Sequence, residues 1–232
     1  HVITDIRAYH ADGKDNQQLQ DITLRLKQRL WREGFRLENL LADTGYSSGE
    51  NYAFLEQQGI KSFIPPHGTY KGGPNGFNYD KHSESYTCPE GEVIPFKKVF
   101  KDKRTQTLKK EYRGSSKQCK NCPLRKECLG KTAKEKRFTV TYYKEEYERN
   151  IQRVNSLQGR YYKKKRSSTV EPVFGTLTQH LGLRKINTKG IKQANKVMLM
   201  SAIAYNLKKY LKFTQKKVNT AVKATVYYTD IG

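Results

Sequence analysis

The stretch RLENLLADTGYSSGENYAFLEQQGIKSFIPP, residues 36–66, decides the fold class. Leu37 to Ala42 reads as a short buried strand, and Thr44 to Ser48 as a turn. Glu50 to Gln58 follows as a helix that Gly59 closes, with Ser47 and Glu50 spaced as a capping box. IKSFIPP is a second strand, stopped by Pro65 and Pro66, because proline offers no amide to a ladder. Strand, helix, strand at this spacing calls for a parallel pair joined by a crossover helix.

The opening HVITDIRAYHADGKDNQQL has β-branched residues from Val2 to Ile6 and a polar turn around Asp12, Gly13 and Asp15, so it reads as strand then loop. Leu19, Ile22, Leu26 and Leu30 keep helical spacing up to Gly34, which suits a C-cap. The expected fold class is therefore α/β, a mixed sheet flanked by helices. From His67 to Gly159 the pattern changes to Gly- and Tyr-rich segments, short strand candidates and four cysteines, and is read as an insertion subdomain. Beyond it, Val170, Phe174, Leu177 and Leu181 are expected on one helix face, and a long apolar helix from about Lys192 to Phe213. The expected organisation is 1–66 as the first part of the core, 67–159 as the insertion, 160–213 as the closing helices and 214–232 as a tail. The chain opens at His1 without Met and reads as a fragment or processed product.

The 232 residues carry 45 Lys plus Arg against 22 Asp plus Glu, a net charge of +23. Such a field attracts polyanions, and nucleic acid is the leading partner, because neutralising phosphates releases condensed counterions. With no apolar run of about 18 residues and no signal peptide, a protein that is neither membrane-bound nor exported is expected.

Two carboxylates stand out against that background. Asp43 sits at the carboxyl end of a predicted central strand, the edge where open α/β sheets bind ligands. It either holds a hard cation such as Mg2+ or hydrogen-bonds the amides of its own turn. Glu171, in KKKRSSTVEPVFG (163–175), is the one acid between Asn150 and Thr229. Ser168 and Glu171 could form a capping box, but Pro172 biases Glu171 away from helical geometry and belongs at a first helical position, so the regular helix is expected to start at Pro172 or to carry an irregular first turn. Two such carboxylates can bracket metal ions that activate a nucleophile and stabilise the leaving oxygen of a phosphodiester. Lys163, Lys164, Lys165 and Arg166 would then grip flanking phosphates; the plainer reading is a solvated charged segment.

LLADTGYSSGENY, RSSTVEPVFGTLTQHLGLRK and the cysteine-bearing insertion between them resemble the carboxyl-terminal part of bacterial insertion-sequence transposases with a DDE acidic triad. The resemblance implies a ribonuclease-H-like fold, Mg2+ or Mn2+ at three carboxylates, and cleavage and strand transfer on double-stranded DNA by a homodimer in the bacterial cytoplasm, associated with the nucleoid. On it, Asp43 corresponds to the second acid and Glu171 to the third. Arg166 corresponds to a basic residue that touches DNA, and Arg184 and Lys185 in HLGLRK are further DNA-contact candidates. The first acid is expected upstream of His1; Asp5 falls on the wrong strand to replace it. The lysine of the family's tyrosine-arginine-glutamate-lysine signature is replaced by Thr178. A catalytically inactive DNA-binding derivative of a transposase and a related metal-dependent nuclease are the alternatives.

Cys88, in CPEG, and Cys119, Cys122 and Cys128, in CKNCPLRKEC, have spacings that suit thiolate knuckles around a structural Zn2+. Free thiols and an iron–sulfur cluster are the other readings, disulfides being disfavoured in a reducing compartment. His67 and His82 could replace a cysteine, and Tyr70, Phe77 and Tyr79 either stack on bases or form the insertion's small core.

Overall fold

The structure is a computed structural model that describes residues 2–10 and 12–229, with side chains through residue 215. It divides into two compact units, His1–Leu37 with Leu157–Gly232, and Glu38–Ser156. The expected boundary at residue 66 falls inside the second unit.

In the first unit the segment 2–10 forms no strand, contrary to expectation. A strand needs a neighbouring strand for its backbone groups, and here side-chain amides take that place. Asn206 donates to the Ile3 carbonyl and accepts from the Ile3 amide, both at 2.8 Å, while Asn195 accepts from the Ala8 amide at 2.9 Å. Helix α1 (Asp15–Arg32) follows, burying Leu19 and Thr23. It ends in a Schellman motif, with Phe35 N–H donating to the Leu30 carbonyl and Gly34 N–H to that of Trp31. Gly34 has φ +77°, which glycine adopts without the steric cost of a Cβ.

The second unit opens on the expected crossover. Strand β1 (Asn39–Leu41), helix α2 (Gly49–Gln57) and strand β2 (Lys61–Phe63) place the strands parallel, in register Asn39 with Lys61 through Leu41 with Phe63. Ser48 rather than Ser47 caps α2, accepting from the Asn51 amide at 3.1 Å, so the expected Ser47–Glu50 box does not form. Ser47 is diverted to the Tyr52 hydroxyl and the His67 amide. Tyr52, Leu55, Ile60 and Ile64 are fully buried, each aliphatic one contributing about 1.5–3 kcal/mol.

Two small antiparallel sheets follow: β3 (Asn78–Asp80), β4 (Ser85–Thr87) and β5 (Val93–Ile94), then β6 (Phe96–Lys101), β7 (Leu108–Arg113) and β8 (Arg137–Thr141). Tyr86 and Ile94 of the first meet Tyr112 and Val140 of the second in one core, with Phe77, Tyr79 and Phe138 packed against it. Tyr86 and Tyr112 contact edge to face at 4.8 Å, and Tyr70 stacks on Tyr147 at 4.9 Å. The aromatics of this region thus build its core. Between β7 and β8 lie two short helices, α3 (Ser116–Lys120) and α4 (Arg125–Cys128). Helix α5 (Lys144–Asn155) then packs on α2 and β2. Arg153 donates to the carbonyl and hydroxyl of Ser62 and, with Arg149, to Glu56.

The chain returns to the first unit in α6 (Leu157–Gly175), a wide π-type turn over Thr176–His180, and α7 (Ile191–Thr229). Helix α7 is longer than the expected span to Phe213, and residues 230–232 of the expected tail lie outside the described residues. Helix α6 begins fifteen residues before the expected start and contains Pro172. Ser168 is therefore mid-helix, its hydroxyl donating to the Lys165 carbonyl, and the Ser168–Glu171 capping box is absent. Phe174, expected on one helix face with Leu177, is 61% exposed while Leu177 is 5% exposed. The inward face is set by Val170, Val173 and Leu177, and Phe174 lies at its margin.

Candidate active site

Within the second unit, Asp43 follows β1 by one residue and caps the 3-10 turn Thr44–Tyr46. Its Oδ1 accepts from the Gly45 amide at 2.9 Å. The turn is anchored from beneath by α2, where buried Asn51 donates to the Tyr46 carbonyl at 3.0 Å. Buried Tyr52 holds Ser47 at 2.8 Å and donates to the Ile64 carbonyl at 3.3 Å, and burial pushes its phenol pKa up, keeping it a donor. The exposed Asp43 carboxylate thus rides on a braced loop at the carboxyl end of a parallel strand, with one oxygen engaged by the turn amide.

Within the first unit, Glu171 is exposed on α6, as are Arg160, Lys163, Lys164 and Lys165. Arg166 is half-buried and engaged. It lies on the same helix stripe as Val170, Val173 and Leu177. At 3.6 residues per turn, Lys164 and Arg160 fall within roughly 20° of Glu171 around the axis, whereas Arg166 stands about 140° away. Arg184 and Lys185 are exposed in the segment after the π-type turn. The sequence gives no signal for Arg160, because a helix starting at Pro172 severs residue 160 from any face shared with Glu171.

Asp5 is not open to a metal. Its side chain, 7% exposed, pairs with Arg25 at 3.3 Å and Arg29 at 3.4 Å, and Arg29 also donates to the Thr4 carbonyl.

The four cysteines are free and half-buried. Cys88 stands in a tight turn between β4 and β5, where the Gly91 amide donates to its carbonyl at 2.9 Å. Cys88, Cys122 and Cys128 line one cleft of roughly 470 Å³, together with Glu90, Glu127 and Phe77; Cys119 is not among its lining residues. His67 and His82 are exposed and stand apart from that cleft. Among the described residues, no three His, Cys, Asp or Glu side chains converge closely enough to hold a metal ion. None of the described helices is long and apolar enough to cross a membrane.

Residues 87–211, more than half of the chain, match the family model described as transposase DDE domain. The match takes in the cysteine segment, α6 and Glu171; Asp43 lies before it. No curated protein and no solved structure matches the chain.

Proposed function

Because the chain belongs to the transposase DDE domain family, we propose that it is the carboxyl-terminal part of the catalytic domain of a bacterial insertion-sequence transposase. Its reaction is metal-dependent cleavage of phosphodiesters at the element's ends, followed by strand transfer. The observation that carries this reading is Glu171, an exposed acid inside the matched region, alone on a helix face otherwise lined by cations.

Asp43 and Glu171 are the proposed ligands of Mg2+ or Mn2+. Both are exposed carboxylates, and hard oxygen donors fit these ions. A bound divalent ion lowers the pKa of water and stabilises the leaving oxygen of a phosphodiester. The chain's own contribution is positional. The braced turn holds Asp43 at the strand end, and α6 carries Glu171 among Lys163, Lys164 and Lys165, which attract the DNA backbone; Arg184 and Lys185 extend the contact. In this proposal β1–α2–β2 belongs to a ribonuclease-H-like sheet interrupted by an insertion at 67–159. The enzyme acts in the cytoplasm, on the nucleoid, as a homodimer. Exposed Met200, Ile203 and Leu207 of α7 offer an apolar face that supports the homodimer.

A structural Zn2+ held by Cys88, Cys119, Cys122 and Cys128 is the accompanying proposal, and it requires the four thiolates to draw closer together than they stand here. None of the residues 115–136, before β8, is buried, and helices of five and four residues do not hold themselves, so a bound metal would supply order that burial does not. Elemental analysis of the purified protein and Co2+ substitution spectra test it; absence of stoichiometric metal overturns it.

The test of the main reading is Mg2+-dependent nicking of element ends by the full-length product of the reading frame. Asp43→Asn and Glu171→Gln each abolish nicking while DNA binding persists; nicking that survives either change overturns the assignment. A second reading, a DNA-binding derivative without chemistry, is favoured by one observation, the commitment of Asp5 to Arg25 and Arg29. It is correct if the full-length protein binds ends and never nicks them. A nuclease would nick but give no joined product when target DNA is supplied.

A further inference from the structure

The continuous α6 brings together residues that the sequence keeps apart. From the geometry of this helix we propose that Arg160 and Lys164 form, with Glu171, one DNA-tracking ladder. In it the two cations hold phosphates of the strand whose scissile phosphate sits at Glu171. This rests on the DNA-cutting reading above and adds the residues that orient the strand.

Three observations carry it. First, Lys164 is seven residues and Arg160 eleven residues before Glu171, which places them roughly 10 and 16 Å back along the axis on nearly the same line. Second, burial agrees with that geometry: Arg160, Lys164, Ser167 and Glu171 are all exposed, while Val170, Val173 and Leu177 on the opposite side are buried or half-buried. Ser167, the residue between Lys164 and Glu171 on this face, is small and leaves room for a phosphate. Third, two of the neighbouring cations are engaged elsewhere. Lys165 lies over the Tyr161 ring at 5.6 Å, and Arg166 is half-buried on the inward stripe. Among the described residues neither Arg160 nor Lys164 has an acidic partner, so each retains its full charge for a ligand.

The ladder has a polarity. Cations lie toward the start of the helix and the acid toward its end, where Pro172 follows directly and lacks the amide that would bond the Ser168 carbonyl. A strand laid along it meets two positive charges before the carboxylate, so flanking phosphates are neutralised while the one at Glu171 is left to the chemistry. Arg160 and Lys164 are positioning residues in this arrangement.

The experiment measures the affinity of the full-length protein for a DNA duplex against salt concentration. Removing one cation that neutralises a phosphate lowers the log–log slope by about one. Arg160→Ala and Lys164→Ala are each expected to lower it by about one and to raise the DNA KM for nicking more than they lower kcat. Arg160→Lys keeps the slope, and Lys165→Ala, whose ammonium is drawn over the Tyr161 ring, lowers the slope by clearly less than one. If Arg160→Ala leaves the slope intact, or if Lys165→Ala costs as much, the ladder is overturned and the segment is a diffuse cationic surface. Retention of nicking by Glu171→Gln would instead defeat the underlying reading, so the two failures are distinguishable. Circular dichroism of each variant identifies a misfolded protein, for which Arg160→Gln replaces Arg160→Ala.

Discussion

Asn150 and Ile64, 86 residues apart, form a reciprocal buried pair: Asn150 Nδ2 donates to the Ile64 carbonyl at 2.8 Å and Oδ1 accepts from its amide at 3.4 Å. The side-chain amide imitates a neighbouring strand just past the end of β2 and fastens α5 there. Segments on either side of residue 66 are therefore tied together, and the Ile64 amide and carbonyl depend on Asn150 for their hydrogen bonds. Asn150→Ala is expected to destabilise this unit by about 2–3 kcal/mol, the cost of leaving a buried amide and carbonyl unpaired. Urea unfolding followed by fluorescence checks it.

The same helix pair carries a pH dependence. Partial burial would raise the Glu56 pKa, but hydrogen bonds and charge from Arg149 and Arg153 outweigh it and hold the carboxyl below its ordinary 4.5. A carboxylate with a depressed folded pKa stabilises the native state above its unfolded value, and that stability is lost as pH falls through the folded value. Wild-type stability should thus decline below about pH 4.5 more steeply than that of Glu56→Gln. The difference is no more than about 1 kcal/mol, because the pair is solvent-screened. Parallel urea titrations at pH 7 and pH 3.5 read it out.

Asp5 offers a contrast with Asp43. Asp5→Asn removes the acid shared by Arg25 and Arg29, and is expected to lower stability by about 1–2 kcal/mol while leaving Mg2+-dependent nicking unchanged. Thermal melts and the nicking assay separate the two effects. Loss of nicking in a folded Asp5→Asn protein would show that this acid joins the chemistry.

Gly49, the first residue of α2, has no room for a side chain: a Cβ there would lie 2.6 Å from the Tyr143 Cβ. Gly49→Ala should cost about 1–3 kcal/mol by overpacking. It should also loosen the adjacent Asp43 turn, seen as faster amide hydrogen exchange at Gly45 and Tyr46.

Local chemistry wrote much of the architecture into the sequence. The apolar residues Leu40–Ala42, the glycines at 34 and 59 and the proline pair at 65–66 specify β1, α2 and β2, because apolar patterning, left-handed caps and missing amides act over a few residues. The matched family and the isolated acid at 171 were legible for the same reason. Other features depended on partners distant in the chain. The segment Val2–Ile6 carries strand-forming residues, yet Ile3 is bound by Asn206 and the nearby Ala8 by Asn195, since pairing is decided by what lies alongside. Pro172 signals a helix start, yet sits inside α6. A single proline costs about 3 kcal/mol, which the burial of Val170, Val173 and Leu177 along a continuous helix can offset. That tertiary outcome alone puts Arg160 on the face of Glu171 and turns Arg166 from it, because only an unbroken helix converts a spacing of eleven residues into alignment.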